Sequence, residues 1–395
     1  VRFDRMKISG SDRLNNLGSA IFTELAEWKE QVIKSGIDVI DLGIGSPDLP
    51  PSAKVIQTLH EAIDNSNLYG YPMSEGNLDL RVTVSKWYQY RFNVVLDAHT
   101  EVLTLMGSQD GLAHLAMAIC NPGDIVLVPD PGYPIYSASL ELAGVKPYFV
   151  PLQEEHDFLP QLEKIPDSIL KQAKFMILNY PSNPLAAVTD LAFFERWVNW
   201  AKEHEILVVH DLAYSEMAFD GFKPPSVLEV KGAKEIAVEF HSMSKAFNMA
   251  GCRIGFLVGH SDVVSALKII KSNIDYGVFI PVQKAAIAAL EEDMNNNESV
   301  AIHYEKRRNL MVNGLADIGW HIKKPKASMF IWAKIPKGWT SRQFANELLF
   351  SEGVVVIPGD AFGSQGEGYV RIALVHNEEV LLEAVERMGR FFDKR

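Results

Sequence analysis

The chain has 395 residues, 47% hydrophobic and 22% charged, a length that exceeds what one hydrophobic core fills and a composition ordinary for a water-soluble protein. Fifty acidic against 38 basic residues give a formal charge of -12, which argues against nucleic-acid recognition through a basic face. Two cysteines, Cys120 and Cys252, are too few for a disulfide framework or a zinc cluster, so a reducing compartment and no metal are expected.

The first seven residues carry charges without an apolar core, and no run of about 18 apolar residues occurs, so a cytoplasmic chain without a membrane partner is expected. Leu17, Ile21, Leu25, Trp28 and Val32 then recur at helical spacing before Gly36. The run 39–42 leads into Gly43-Ile44-Gly45-Ser46-Pro47-Asp48. A dinucleotide-binding fingerprint fails here, because Pro47 and Asp48 stand where it needs a helix start and a third glycine. Tyr71-Pro72-Met73-Ser74-Glu75-Gly76 precedes a helix carrying Leu78, Leu80, Arg81, Val84 and Trp87.

From residue 102 short apolar runs alternate with helical ones. Strand candidates at 102–106, 125–128, 145–150, 175–178, 206–209, 236–240 and 254–258 predict an α/β fold, a seven-stranded, mostly parallel sheet with crossover helices. Ligand-binding groups of such sheets gather at strand ends. Gly107-Ser108-Gln109 opens a helix whose free N–H groups suit an anion, with an ordinary strand-to-helix turn as the alternative. Tyr133 follows the second strand and Asn183 the fourth, while Asp211 and Tyr214 follow the fifth. Helix capping is the other reading of Asp211, and His210 reads as a packed neighbour.

Ser242, Ser244, Lys245 and Arg253 lie between the sixth and seventh strands. A lysine on a loop there can attack a carbonyl if desolvation or nearby cations keep it neutral, and Arg253 offers both such a cation and a planar fork for phosphate. Farther on, a helix at 262–271 leads to a long helical region reaching about 315, interrupted at Asn296 and Asn297. Strands at 329–333, 354–357 and 369–373 with a helix at 378–392 predict a smaller α+β domain. The expected division is 46–285 for the large domain, with 1–45 and 286–395 forming the small one. For Arg371, between Val370 and Ile372, pointing to solvent on a half-buried strand is the alternative to a ligand-binding role.

The spacing Ser-x-Ser-Lys, then Gly-x-Arg-x-Gly, resembles the lysine signature of class I/II aminotransferases, the fold-type-I family that uses pyridoxal 5'-phosphate. The resemblance spans nearly the whole chain. It implies Lys245 as the Schiff-base residue and proton shuttle, and places the cofactor phosphate on Ser242, Arg253, Gly107, Ser108 and Gln109. It stacks Tyr133 on the pyridine ring, sets Asn183 and Tyr214 at the phenolic oxygen and Asp211 at the ring nitrogen, and gives Gly45, Asn183 and Arg371 to the substrate. A Gly-x-Pro-Asp element lies beside the substrate carboxylate in the family, although a simple turn fits Gly45 as well. The resemblance further implies a homodimer, with Tyr71 acting in trans on the neighbour's phosphate, an amino acid and a 2-oxo acid as substrates, and glutamate with 2-oxoglutarate as the common pair.

Leu185 and Ala186 replace the threonine and glycine of the family's Asn-Pro-Thr-Gly element, which leaves the turn geometry open. Residues 273–279 and 13–22 look most like the LL-diaminopimelate aminotransferase branch, but Tyr276 and Ile280 stand where serine and a polar residue are expected there. The same fold also serves C–S lyases that release pyruvate and ammonia, and the sensing domains of certain transcription regulators. The acidic balance weighs against the latter.

Overall fold

The computed structural model describes residues 8–17, 20–295 and 300–394. The seven apolar runs form one sheet of β1 (Val102–Leu105), β2 (Ile125–Asp130), β3 (Lys146–Pro151), β4 (Ala173–Asn179), β5 (Leu207–Asp211), β6 (Ala237–Ser242) and β7 (Gly255–Gly259). Their order is β1-β7-β6-β5-β4-β2-β3. Only β7 runs against its neighbours, β1 and β6; the other adjacent pairs are parallel. Apart from the edge strand β3, nearly every strand residue is buried. Burial on both faces is why these segments read as continuous apolar runs rather than alternating ones.

Six strands continue past those runs, four of them to a polar residue. β2, β4, β5 and β6 end on Asp130, Asn179, Asp211 and Ser242, because the ladder is made by backbone groups and accepts a polar side chain at its end. The stretch around Lys245 is a one-turn helix, Met243–Ala246, rather than an open loop. Ser242 starts it, its hydroxyl accepting the Ser244 N–H at 3.2 Å.

Toward the carboxy terminus, Ile357–Pro358, Tyr369–Ala373 and Phe330–Lys334 form an antiparallel sheet in that order. The strand expected at 354–357 divides, and Val354–Val355 pairs in parallel with Ile40–Asp41. The amino-terminal segment is thereby tied to the carboxy-terminal one, and the helix Ala20–Lys34 packs on Ser341–Glu352. That first helix is described as Ala20–Lys34, and Leu17, expected to open it, is extended.

The interruption read at Asn296 and Asn297 lies outside the described residues; Ile280–Met294 and Ala301–Asp317 are the flanking helices. Ile280–Met294 crosses the boundary expected at 285, yet Ala286, Ala289 and Leu290 belong to the core under the large sheet. We therefore propose that the large unit extends to Met294. Among the described residues, no helix is long and apolar enough to cross a membrane.

One ion pair straps the 43–48 segment across the carboxyl edge of the large sheet. Arg307, 3% exposed, donates to both Asp48 carboxylate oxygens at 2.7 Å and to the Leu374 carbonyl at 3.1 Å. Such a two-pronged contact fixes orientation as well as distance.

The helix Ser108–Ile119 lies tightly on the sheet at Gly111, where an added Cβ would sit 2.5 Å from the Phe240 ring and 2.7 Å from Leu105 Cδ1. Gly111→Val is expected to lower unfolding stability by about 1–3 kcal/mol through overpacking. Urea denaturation at unchanged m-value measures it, and an unchanged midpoint would contradict the close approach.

Candidate active site

The carboxyl edge of the parallel strands opens into a cavity of about 520 Å³. Ser108, Gln109, Tyr133, Asn183, Asp211, Tyr214, Ser242, Lys245 and Arg253 line it from the sheet side, and Gly45 and Arg371 line it from the other. Gly107 adjoins it, capping the helix that begins at Ser108.

One end suits an anion. Gly107 has φ 78°, and a Cβ there would lie 2.6 Å from Arg253 Nη2. A Cβ on Gly255 would lie 2.8 Å from the Ser108 nitrogen. Glycine at both places lets the helix start, with its unpaired N–H groups, come up against the guanidinium. Arg253 holds the left-handed φ of 51°, a conformation costly for a side-chain-bearing residue and typical of functional positions. Its Nη1 donates to the Ala250 carbonyl at 2.9 Å, leaving its charge unneutralised.

The opposite side of the cavity floor carries an acid. Asp211 ends β5 beside Asn179 in register, accepting from the Tyr136 hydroxyl at 2.7 Å and the Ala213 N–H at 3.3 Å. Burial holds its carboxyl above the usual carboxylate range, opposed by the Tyr136 hydrogen bond. An N–H cation placed against it would reverse that shift. Burial also pushes the Tyr214 and Tyr133 phenols above the ordinary tyrosine range, and the Tyr133 hydroxyl donates to Gln109 Oε1 at 3.1 Å.

Arg371 is 6% exposed, so the solvent-facing alternative is set aside; both faces of its strand are covered. The guanidinium lies between the rings of Phe330 and Phe362, 4.2 and 4.7 Å from their centroids. It donates to Asn183 Oδ1 at 2.8 Å and the Gly43 carbonyl at 2.6 Å, while its buried Nε has no partner. Burial lowers it to about 10, which still leaves it cationic at neutral pH.

Lys245 Nζ donates to the Gly45 carbonyl at 2.7 Å. Burial first, then Arg253 and Arg371, lower it to about 8, so a useful fraction is the neutral, nucleophilic amine near pH 7. Gly45 has no room for a side chain, since a Cβ would meet the Phe330 ring at 2.5 Å.

The turn at Leu185 and Ala186 keeps its tight form: Ala186 takes φ 50°, its N–H donating to the Ser182 carbonyl at 3.0 Å. Leu185 packs with Trp332 and Phe362 and is not among the cavity-lining residues. Tyr71 also lies outside its own chain's cavity, 87% exposed and against Tyr276 with ring centroids 5.0 Å apart.

Tyr136, Asn179 and Gly43 were not singled out from sequence. Tyr136 lies one helical turn after Tyr133, and Asn179 is a polar residue ending a buried strand, so both carried a usable signal. Asn179 Nδ2 donates to the Asp211 carbonyl at 2.7 Å, and its Oδ1 accepts the Asn183 N–H at 2.7 Å. Gly43 acts through its backbone and left no side-chain signal.

Residues 37–388 match the family description "Aminotransferase class I and II". An LL-diaminopimelate aminotransferase of Moorella thermoacetica is 44% identical over 97% of this chain and 98% of its own length. LL-diaminopimelate aminotransferase 2 of Trichormus variabilis is 45% identical over 95% and 97%. Among solved structures, substrate-bound BacF from Bacillus subtilis superposes with a TM-score of 0.92, at 38% identity and 98% coverage of each chain.

Tyr136→Phe should raise the Asp211 carboxyl further and cost about 1.5–3 kcal/mol of stability near pH 7, the worth of a hydrogen bond to a charged group. Asp211 sits above its unfolded value, so its ionisation costs stability as pH rises through the carboxylate range; the variant's deficit should therefore shrink near pH 4. Denaturation at both pH values checks this, and an equal loss at each would separate the hydroxyl from the carboxylate.

Proposed function

The chain belongs to the class I and II aminotransferases, and on that premise we propose that Lys245 holds pyridoxal 5'-phosphate covalently while an amino group passes between an L-amino acid and a 2-oxo acid. The observation that carries this reading is the convergence, in one cavity, of an anion cradle, a lysine lowered to about 8 and a buried carboxylate lacking a cation. The residues fit the cofactor's three chemical features, its phosphate, its aldehyde and its ring nitrogen. When bound, the cofactor supplies an electron sink for the pair left as the α-proton departs.

The protein's share is binding, orientation and proton movement. The N–H groups following Gly107, with Ser108, Gln109, Ser242 and Arg253, hold the phosphate. Tyr133 covers one ring face, Asp211 keeps the ring nitrogen protonated, and Asn183 and Tyr214 meet the phenolic oxygen. Arg371, aligned by Asn183 and the Gly43 carbonyl, receives the α-carboxylate, with Gly45 beside it. Displaced from its covalent bond by the donor's amine, Lys245 Nζ would be free to take the proton from the α-carbon and deliver it to the carbon on the far side of the donor nitrogen.

Tyr71 supports a homodimer. Its exposure, with Tyr69, Met73, Tyr276 and Phe279 also exposed and the rings paired Tyr69 with Phe279 and Tyr71 with Tyr276, makes an apolar surface suited to a second copy. In that assembly Tyr71 reaches the neighbour's phosphate. The names of the relatives favour LL-diaminopimelate as amino donor, a seven-carbon diacid with an amino-acid group at each end; 2-oxoglutarate as acceptor rests on the family resemblance alone.

Incubating the cofactor-loaded protein with LL-diaminopimelate and 2-oxoglutarate should yield glutamate. Pyruvate and ammonia from sulfur amino acids without an acceptor, and no glutamate from any donor, would replace transfer by a lyase reaction.

Lys245 bonds a carbonyl only as the neutral amine, and its value of about 8 lies below the ordinary lysine range. The rate at which cofactor-free protein captures pyridoxal 5'-phosphate should therefore fall about tenfold per pH unit below pH 8 and level off above it. Stopped-flow absorbance from pH 6 to 10 measures this, with borohydride reduction and peptide mapping to place the label on Lys245. A rate still climbing tenfold per unit at pH 10, or a label on another lysine, would overturn the assignment.

A further inference from the structure

Beyond Arg371 the cavity continues between Phe22, Leu25, Val355, Ile357 and Phe362 to Lys29 and Asp41. Those two form an ion pair, Lys29 Nζ to Asp41 Oδ2 at 2.6 Å, with side chains 34% and 18% exposed. Asp41 Oδ1 accepts the Gly43 N–H at 2.8 Å, and the carbonyl of the same Gly43 accepts from Arg371 Nη2 at 2.6 Å. One residue's backbone therefore separates the pair from the carboxylate-binding arginine, which bounds the distance from Asp41 Oδ1 to Arg371 Nη2 at about 10 Å.

We infer that the Lys29–Asp41 pair reads the far end of the amino donor and selects a side chain that ends in an ammonium and a carboxylate together. An ammonium offers three donors and a carboxylate about four acceptor sites. Lys29 spends one N–H on Asp41, and Asp41 accepts from Lys29 and the Gly43 N–H, so both partners retain open positions facing the cavity. Because the pair is neutral as a unit, a lone carboxylate attracted to Lys29 is opposed by Asp41, and a lone ammonium meets the reverse. A zwitterion complements both. The apolar residues on the way suit a methylene chain.

The lengths agree. A seven-carbon diacid has six C–C bonds of about 1.5 Å and spans roughly 7.5 Å extended, within hydrogen-bonding reach of both sites.

This assignment rests on the aminotransferase reading, and the test separates the two. Four donors are compared by kcat/KM: LL-diaminopimelate, lysine with a distal ammonium only, 2-aminopimelate with a distal carboxylate only, and alanine. The wild type should favour diaminopimelate over each single-charge donor by about tenfold or more. Lys29→Met should erase the advantage over lysine, and Asp41→Asn the advantage over 2-aminopimelate. Asparagine keeps an acceptor for the Gly43 N–H, and Lys29→Gln serves if the methionine variant folds poorly. Losses shared equally by all donors would make the pair a structural brace and overturn the inference. So would a wild type that transfers from alanine without distinguishing the distal ends. Transfer from no donor at all would instead overturn the aminotransferase reading.

Discussion

Two backbone carbonyls, those of Gly43 and Gly45, hold the cavity's two most deeply placed cations, Arg371 and Lys245. A carboxylate in either place would neutralise its partner and leave nothing for a ligand to satisfy. A carbonyl dipole is a weaker ligand, strong enough to orient an ammonium or guanidinium and weak enough to yield it. With Arg253 bonded to a backbone oxygen as well, the cavity keeps a surplus of positive charge inside a chain of formal charge -12. A contrast of that sign attracts anions. All of it depends on the 43–48 strap staying in place, which is the work of Asp48 and Arg307.

From the acid side, a hydrogen-bonded path crosses the cavity floor. Asn179 bonds the Asp211 backbone and the Asn183 N–H, and the Asn183 side chain bonds Arg371. Adjacent parallel strands in register bring Asn179 and Asp211 together, so the sheet itself sets the spacing between the buried carboxyl of Asp211 and the guanidinium of Arg371. Rigid strand ends hold such spacings more closely than a mobile loop does.

Much of this was legible in the residues. The seven strands, their sheet and the strand-end groups follow from apolar runs buried on both faces and the polar residues that close them. The strand ends at Asp130, Asn179, Asp211 and Ser242 were missed because apolar runs report burial, whereas ladders are made by the backbone. Gly43 and Gly45 bind through carbonyls, which no side chain advertises. Arg371 carries a solvent-facing alternative in sequence because alternation assumes one wet face, and its strand has none. The pairing of 40–41 with 354–355 joins segments more than 300 residues apart in sequence, and local pattern holds no information about such a contact.

The reversed direction of β7 explains why the segment from Ser242 to Arg253 is so compact. A parallel successor to β6 would have needed a crossover back to the opposite edge of the sheet, carrying the chain away before it could return. By turning straight back, the chain leaves the carboxyl edge at Ser242 and re-enters at Gly255 without departing from it. The lysine and its neighbouring arginine are thus neighbours in sequence because they are neighbours in space, a coincidence most sites built on open sheets lack. The same economy makes this connection intolerant of added length. Crossover helices elsewhere can absorb inserted residues at their far ends, whereas residues inserted here would displace Lys245 or Arg253 relative to the strand ends, so this connection should keep its length.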